Sequence, residues 1–93
     1  MKIEHTDDKK RGFFLANDNG VKAGKMDYVW AGENKFIIEH TEASPEYSGK
    51  GIGKKLVYEA VAFARSKNVK ILPLCTFAKS VFDKNPDIAD VLF

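Results

Sequence analysis

Apolar residues in the first half of the chain recur at every second position, which is the period of a β-strand. This alternation predicts a short strand at Gly12–Leu15 and a returning strand at Val21–Trp30, joined by a turn at Asn17–Gly20. Within the second strand the alternation slips by one residue at Gly24 and Lys25. Such a slip beside a glycine indicates a β-bulge, which absorbs one residue without turning the buried face outward.

A third strand is predicted at Lys35–Ala43, and it changes from apolar to polar along its length. Ser44 and Pro45 end it, because proline has no amide hydrogen to donate to a neighbouring strand. The polar end suits a strand that runs from the core toward a site. Strict alternation assigns the side chains to two faces, Phe36, Ile38, His40 and Glu42 on one and Ile37, Glu39 and Thr41 on the other.

After a glycine-rich turn, the period changes to that of a helix that ends at Arg65 or Ser66, with Asn68 as its stop. A fourth strand follows at Val69–Cys75 and is apolar nearly throughout, as in a strand buried on both faces. The apolar positions of the helix are Ile52, Leu56, Val57, Ala60, Phe63 and Ala64.

A strand, a helix and another strand in this order form a right-handed βαβ crossover, so the third and fourth strands should be parallel. A short helix is predicted at Thr76–Phe82 with Thr76 as N-cap, and another begins at Asn85–Asp87. Ile88, Val91 and Leu92 should then close the core. The predicted fold class is mixed α/β, a mostly antiparallel sheet with one parallel crossover and short C-terminal helices.

The turn before the long helix carries glycines at alternate positions, Gly49, Gly51 and Gly53, with lysines between and after them at Lys50 and Lys54. Glycines leave main-chain amides uncovered, and a helix N-terminus adds partial positive charge, so this segment is predicted to bind an anion. No Gly-Lys-Ser/Thr closes the loop, and the spacing does not fit the dinucleotide fingerprint. The alternative is a glycine-rich helix start with ordinary surface lysines.

Three motifs taken together resemble the GNAT N-acetyltransferase superfamily, in particular its short, minimal branch. They are Thr-Glu-Ala-Ser-Pro-Glu at 41–46, Gly-Lys-Gly-Ile-Gly at 49–53 and Pro-Leu-Cys at 73–75. The family's acetyl-coenzyme A loop usually begins with Gln or Arg, and Glu46 departs from it. The usual fold also has two helices between its first strands, for which the hairpin at 15–35 leaves no room. The resemblance covers nearly the whole chain and implies one domain, residues 1–93, that moves an acetyl group from acetyl-CoA to an amine.

Under this resemblance, the coenzyme pyrophosphate is expected on the main-chain amides of the glycine loop. The pantetheine arm would pair with the backbone of 41–44, since Pro73 lacks an N–H and opens the adjacent parallel ladder. Asn85 is a further candidate, although helix capping explains it equally well. The expected coenzyme-binding residues are Thr41, Ala43, Ser44, Gly49, Lys50, Gly51, Ile52, Gly53, Lys54 and Asn85.

Cys75 is the candidate nucleophile, because it ends the fourth strand beside a helix start, where the pKa of a thiol is lowered. Two routes remain open: transfer through an acetyl-Cys75 intermediate, or direct attack of the amine on acetyl-CoA. A buried structural cysteine is the alternative. His40 and Glu42 are candidate bases, and a histidine with an ordinary pKa of about 6.5 suits that role better. A hydrogen-bonded structural histidine is the alternative for His40.

Composition excludes several classes. The 93 residues are 44% hydrophobic and 30% charged, which is typical of one globular domain, and the net charge of +2 is too small to favour nucleic acid. Neither a membrane span nor a targeting peptide is recognisable, and a single cysteine suits the cytoplasm. One Cys and a nearby His do not make a metal site. The competing functions are a coenzyme A-binding module with little turnover and, less favoured, a small nucleic-acid-binding domain.

Overall fold

The computed structural model describes all 93 residues and contains one five-stranded sheet whose strands follow one another in chain order. All neighbouring strands are antiparallel except the last pair, so the mixed sheet and the parallel crossover are confirmed. The strands are β1 (Lys2–Asp7), β2 (Arg11–Asp18), β3 (Val21–Trp30), β4 (Lys35–Ala43) and β5 (Lys70–Pro73). The helices are α1 (Ile52–Lys67) and α2 (Thr76–Lys84), with 3₁₀ helices at Pro45–Tyr47 and Pro86–Val91.

Helix α1 packs along one face of the sheet, and α2 and the C-terminal 3₁₀ helix pack beside it. Its buried residues Leu56, Val57, Ala60 and Ala64 join the apolar side chains of the strands in a single core. Asn68 ends the helix in the left-handed conformation (φ 55°), and its amide bonds back to carbonyls of the last turn. This confirms the predicted stop. We refer to the sheet face without helices as the outer face.

The prediction missed β1 and made β2 too short. In β1 only Ile3 is a half-buried apolar residue, so the strand shows almost no hydrophobic alternation. It forms because it pairs with the whole length of β2, from Lys2 opposite Asn17 to Asp7 opposite Gly12. A strand held by its edge bonds and a few polar contacts is invisible to a hydrophobic pattern.

The sheet contains two bulges, and only one was predicted. The first lies in β3 at Ala23, between Lys22 and Gly24, one residue earlier than expected. The second lies in β4 at Glu39, because Asp27 pairs with His40 while the next residue, Tyr28, pairs with Ile38.

The second bulge makes the predicted facing of β4 wrong beyond Ile38. Phe36 and Ile38 are buried against the helices, as expected. The extra residue then inverts the alternation. Thr41 pairs with the buried Met26 and lies on the helix side, whereas His40 and Glu42 lie on the outer face.

The C-terminal third is shorter and more exposed than predicted. Strand β5 ends at Pro73, and Leu74 is 64% exposed, because helices cover only one face of the sheet. Cys75, not Thr76, occupies the N-cap of α2. The last helix is 3₁₀ in type; its Ile88 and Val91 are buried, but the following Leu92 is exposed.

A polar network fastens β1 to the middle of the sheet. The buried Tyr28 hydroxyl donates to the Asp7 carboxylate and bonds to the His5 ring (2.6 Å), and the Trp30 indole also donates to Asp7 (2.8 Å). Only a glycine fits at position 12, because a Cβ there would lie 2.4 Å from the Tyr28 hydroxyl. The network therefore replaces the apolar contacts that β1 lacks.

The pKa of His5 lies below its ordinary value because neighbouring groups partly shield its ring from water, although the nearby carboxylates of Asp7 and Glu59 oppose this effect. The residue is partly exposed, but its ring stacks on Phe14 (4.1 Å between centroids) and meets the edge of Phe63. A neutral ring is thus favoured in the folded state.

Because the folded pKa of His5 is depressed, stability should fall as the pH drops from about 6.5 through that lower value. The unfolded chain takes up the proton first, which pulls the equilibrium toward unfolding. Urea unfolding measured between pH 7.5 and 5 checks this. His5→Gln should flatten the profile, while His40→Gln, on a side chain 62% exposed, serves as the matched control. A profile unchanged by His5→Gln would contradict the assignment.

Candidate functional site

Strands β4 and β5 separate at a fork beyond Ile38. Their ladder ends at the pair Ile38–Pro73, and the Ile38 carbonyl then accepts the amides of both Leu74 and Cys75 at 3.1 Å. Pro73 contributes to the separation because it has no N–H for the ladder. From this point β4 continues alone on its β5 side.

The free edge of β4 presents unpaired backbone groups. The Ser44 amide bonds to the Ala23 carbonyl of β3 (2.9 Å), so Glu42 and Ser44 direct their backbone groups toward β3. Because a strand alternates the direction of these groups, Thr41 and Ala43 direct theirs away, where no strand pairs with them. An extended chain with amide groups can bind there as an added strand.

The loop before α1 holds five main-chain amides that donate to no protein group, those of Gly49, Gly51, Ile52, Gly53 and Lys54. Gly49 and Gly51 adopt φ of 78° and 74°, a region that side chains disfavour. Gly51 is the N-cap and offers no side chain to satisfy the first turn. That turn contains no acidic residue, so its positive end attracts an anion.

The third glycine of the loop has a different role from the other two. A Cβ at Gly53 would lie 2.4 Å from the Phe77 ring, whereas the Cβ positions of Gly49 and Gly51 are open. Gly53 thus lets α2 approach the first turn of α1. Two glycines shape the loop backbone, and one permits close packing.

The fork and the loop enclose a cavity of about 360 Å³. It lies between the end of β4, the glycine loop and the first turn of α2. The lining residues are Thr41, Glu42, Ala43, Tyr47, Ser48, Gly49, Gly51, Ile52, Gly53 and Phe77. Tyr47 fixes the loop from outside the helix, since its hydroxyl donates to Asp18 at the end of β2 (2.8 Å).

Cys75 is half-buried beside this cavity, between the lining residues Thr41 and Phe77. Burial raises the pKa of its thiol, but the amides of Ala78, Phe77 and Thr41 and the Thr41 hydroxyl outweigh it, so the pKa is lowered overall. The contacts to the helix amides are too loose to form an N-cap hydrogen bond. The Thr41 hydroxyl is buried and has no hydrogen-bond partner of standard geometry, which leaves it free beside the sulfur.

Comparison with known proteins now bears on this site. Residues 12–91 match the family model described as GCN5-related N-acetyl-transferase. The chain belongs to this family. A GCN5-like putative N-acetyltransferase from Staphylococcus aureus, solved in solution, is 31% identical with a TM-score of 0.77, covering 99% of this chain and 87% of that one.

The chain is also similar to curated proteins over most of its length. The chain is similar to the protein NATD1 of Gallus gallus, 29% identical over 87 residues, covering 92% of this chain and 77% of the relative. NATD1 of Homo sapiens is 28% identical, with 92% and 75% covered. The fold also matches AAC(6')-Iy, solved with the bisubstrate analogue CoA-S-monomethyl-acetylneamine, at a TM-score of 0.61 and 16% identity, covering 82% of this chain and 60% of that one.

The two candidate bases differ in their surroundings. The pKa of Glu42 is lowered, first by a hydrogen bond from Lys22 (2.7 Å) and by the charge of that lysine, which makes its carboxylate a weak base. His40 lies 3.7 Å from Glu42, too far for a hydrogen bond. His40 lines no part of the cavity beside Cys75 and faces a second cavity on the outer face.

Several residues named from the sequence do not line the first cavity. The Ser44 hydroxyl bonds to the Lys22 carbonyl, and the Asn85 side chain bonds back to Val81 at the end of α2 (both 2.7 Å). Lys50 and Lys54 are exposed at the rim, each 5.6 Å from a tyrosine ring. Conversely, the aromatic walls Tyr47 and Phe77 were not among the site residues named from the sequence, and only the folded chain places them on the cavity.

The lowered pKa of Cys75 predicts rapid alkylation by iodoacetamide, with a pH–rate midpoint below that of a free cysteine. Thr41→Val should raise the midpoint, because it removes the hydroxyl beside the sulfur. Thr76→Val, at an exposed neighbouring position, is the matched control. A midpoint at or above that of a free cysteine would contradict the geometry described for the thiol.

Proposed function

We propose that this GCN5-related family member binds acetyl-CoA in the first cavity and transfers the acetyl group to an amine. The observation that carries the proposal is the coincidence of three features: five unpaired amides at a helix N-terminus, an unpaired strand edge and a thiol of lowered pKa. Each suits a different part of the coenzyme: pyrophosphate, pantetheine amides and thioester.

The residues fit this cosubstrate in order along the cavity. The amides of the glycine loop would hold the pyrophosphate, with Lys50 and Lys54 adding charge at the rim. The backbone of Thr41 and Ala43 would pair with the pantetheine arm. Bound in this way, acetyl-CoA supplies an activated acetyl group close to Cys75.

Two routes can complete the transfer. In the covalent route the Cys75 thiolate forms a bond to the acetyl carbonyl carbon, and the carbon–sulfur bond of the coenzyme breaks with its electrons on the coenzyme sulfur. A neutral amine then forms a bond to the acetyl carbon, and the bond from that carbon to the Cys75 sulfur breaks with its electrons on this sulfur. The proton that the nitrogen loses passes to the coenzyme thiolate. In the direct route the amine attacks the coenzyme thioester, and the Thr41 hydroxyl is free to donate to the developing oxyanion.

A single, half-buried free thiol suits a reducing environment, so we place the protein in the cytoplasm. No helix of the structure combines the length and apolar character needed to cross a membrane. The proposed acceptor is an amine.

Gly51→Ala should weaken acetyl-CoA binding by about tenfold, because a distorted loop loses at least one amide contact to a charged group. Isothermal titration calorimetry measures this directly. Gly32→Ala is a matched control: Gly32 also has positive φ (83°) and open Cβ space, but it lies in the β3–β4 turn, away from the loop. Equal affinities for the two variants, or no binding by the unmodified chain, would reject the site.

The covalent route predicts an acetyl adduct on Cys75 when the protein is mixed with acetyl-CoA without an amine. Intact-mass spectrometry detects it, and Cys75→Ala should abolish both the adduct and most turnover. Turnover by Cys75→Ala with no adduct on the parent protein would select direct attack. Tight binding with no turnover of any amine would instead favour the coenzyme A-binding module.

A further inference from the structure

A second cavity, of about 630 Å³, lies on the outer face of the sheet and shares no lining residue with the first. Because of the bulge at Glu39, both Glu39 and His40 line this cavity. Phe13, Lys25 and Asp27 line it beside them. The cavity thus crosses strands β2, β3 and β4 as an open groove. We call it the outer groove.

The outer groove already holds an alkylammonium group of the protein itself. The Lys25 ammonium lies 4.6 Å from the centre of the Phe13 ring and 3.4 Å from the Asp27 carboxylate. An aromatic face and a carboxylate together are a known combination for binding organic cations. Lys25 and Asp27 remain 33% and 40% exposed, so this internal pair can be replaced by a ligand.

The groove also carries a carboxylate without a partner. The carboxylate of Asp8, at one end, is occupied by the main-chain amides of Lys10 and Arg11 (2.9 and 2.8 Å). Glu39 makes no hydrogen bond or ion pair within the chain. Arg11 also lines the groove, and Lys25 is paired with Asp27. A cation that displaces Lys25 meets the carboxylates of Asp27 and Glu39.

One strand segment connects the groove to the thiol. His40 lies directly across from Asp27, and the next residue, Thr41, directs its amide toward the Cys75 sulfur on the free edge of β4. The groove and the free edge of β4 thus meet at adjacent residues of one strand segment. The coenzyme, on the proposed function, occupies the other side.

We infer that the outer groove is the acceptor subsite and that it takes a primary alkylammonium, from a free diamine or from a lysine side chain. This inference rests on the proposed acetyl transfer. Asp27 and Phe13 bind the cation, which displaces the Lys25 ammonium. His40 then accepts the proton that the ammonium must lose. The nitrogen then forms a bond to the acetyl carbonyl carbon, and the carbon–sulfur bond of the thioester breaks with its electrons on sulfur. The second proton that the nitrogen loses passes to this sulfur, which leaves as a thiol.

Amine binding can be tested without the coenzyme. Titration of the protein with 1,4-diaminobutane should shift the amide NMR signals of Phe13, Asp27 and His40, and Asp27→Asn should weaken this binding about tenfold. Asp83→Asn is the matched control, because Asp83 is an exposed carboxylate on α2 without a hydrogen bond. Shifts confined to another surface, or equal affinity for both variants, would overturn the subsite.

Kinetics separate this inference from the proposed function. With acetyl-CoA present, Asp27→Asn and Glu39→Gln should each raise the KM for the amine severalfold and leave the KM for acetyl-CoA unchanged. Lys25→Met should lower the KM for the amine, because it frees the Phe13 face. Comparing the KM of a lysine-containing peptide with that of 1,4-diaminobutane shows whether the acceptor is a protein lysine or a free diamine. If the protein turns over and none of the three substitutions changes the KM for the amine, the groove is not the acceptor subsite, but the proposed acetyl transfer stands. If acetyl-CoA does not bind in calorimetry, the proposed function itself is rejected.

Discussion

The double hydrogen bond to the Ile38 carbonyl is the contact on which the candidate site depends. By accepting the amides of Leu74 and Cys75 together, this oxygen ends the β4–β5 ladder and starts α2 within two residues. The same turn brings the Cys75 sulfur to the free edge of β4 and over the first amides of the helix. A continuous ladder would instead close the strand edge and hide the thiol. The fork therefore creates the slot and places its reactive group in one step.

The sequence predicted those features that follow from strong local signals. Glycine spacing, the helical period after residue 51 and the Asn68 stop reflect backbone preferences that operate within a few residues. The parallel crossover followed from the order of elements and the handedness rule. The family resemblance agreed with this topology. These predictions did not depend on knowing which residues meet across the sheet.

The predictions that were wrong concern features that depend on contacts between residues distant in the chain. Strand β1 exists through its pairing with β2 and the Asp7–Tyr28–His5 network, neither of which leaves a periodic pattern in its own six residues. The bulge at Glu39 is a mismatch between the registers of two paired strands, and no glycine in the sequence marks its position. It reversed the expected facing of His40 and Glu42. Similarly, Gly53 looked like a loop residue, and only the position of Phe77 gives it a packing role.

The bulge at Glu39 also explains why the two faces of the sheet present different polar groups at the end of β4. Without it, His40 would lie among the buried residues with Ile38, and Thr41 would point away from the thiol. One inserted residue gives the helix side a hydroxyl beside Cys75 and gives the outer face an imidazole opposite Asp27. Because no helix covers the outer face, the His40 imidazole and the Asp27 carboxylate remain accessible rather than desolvated.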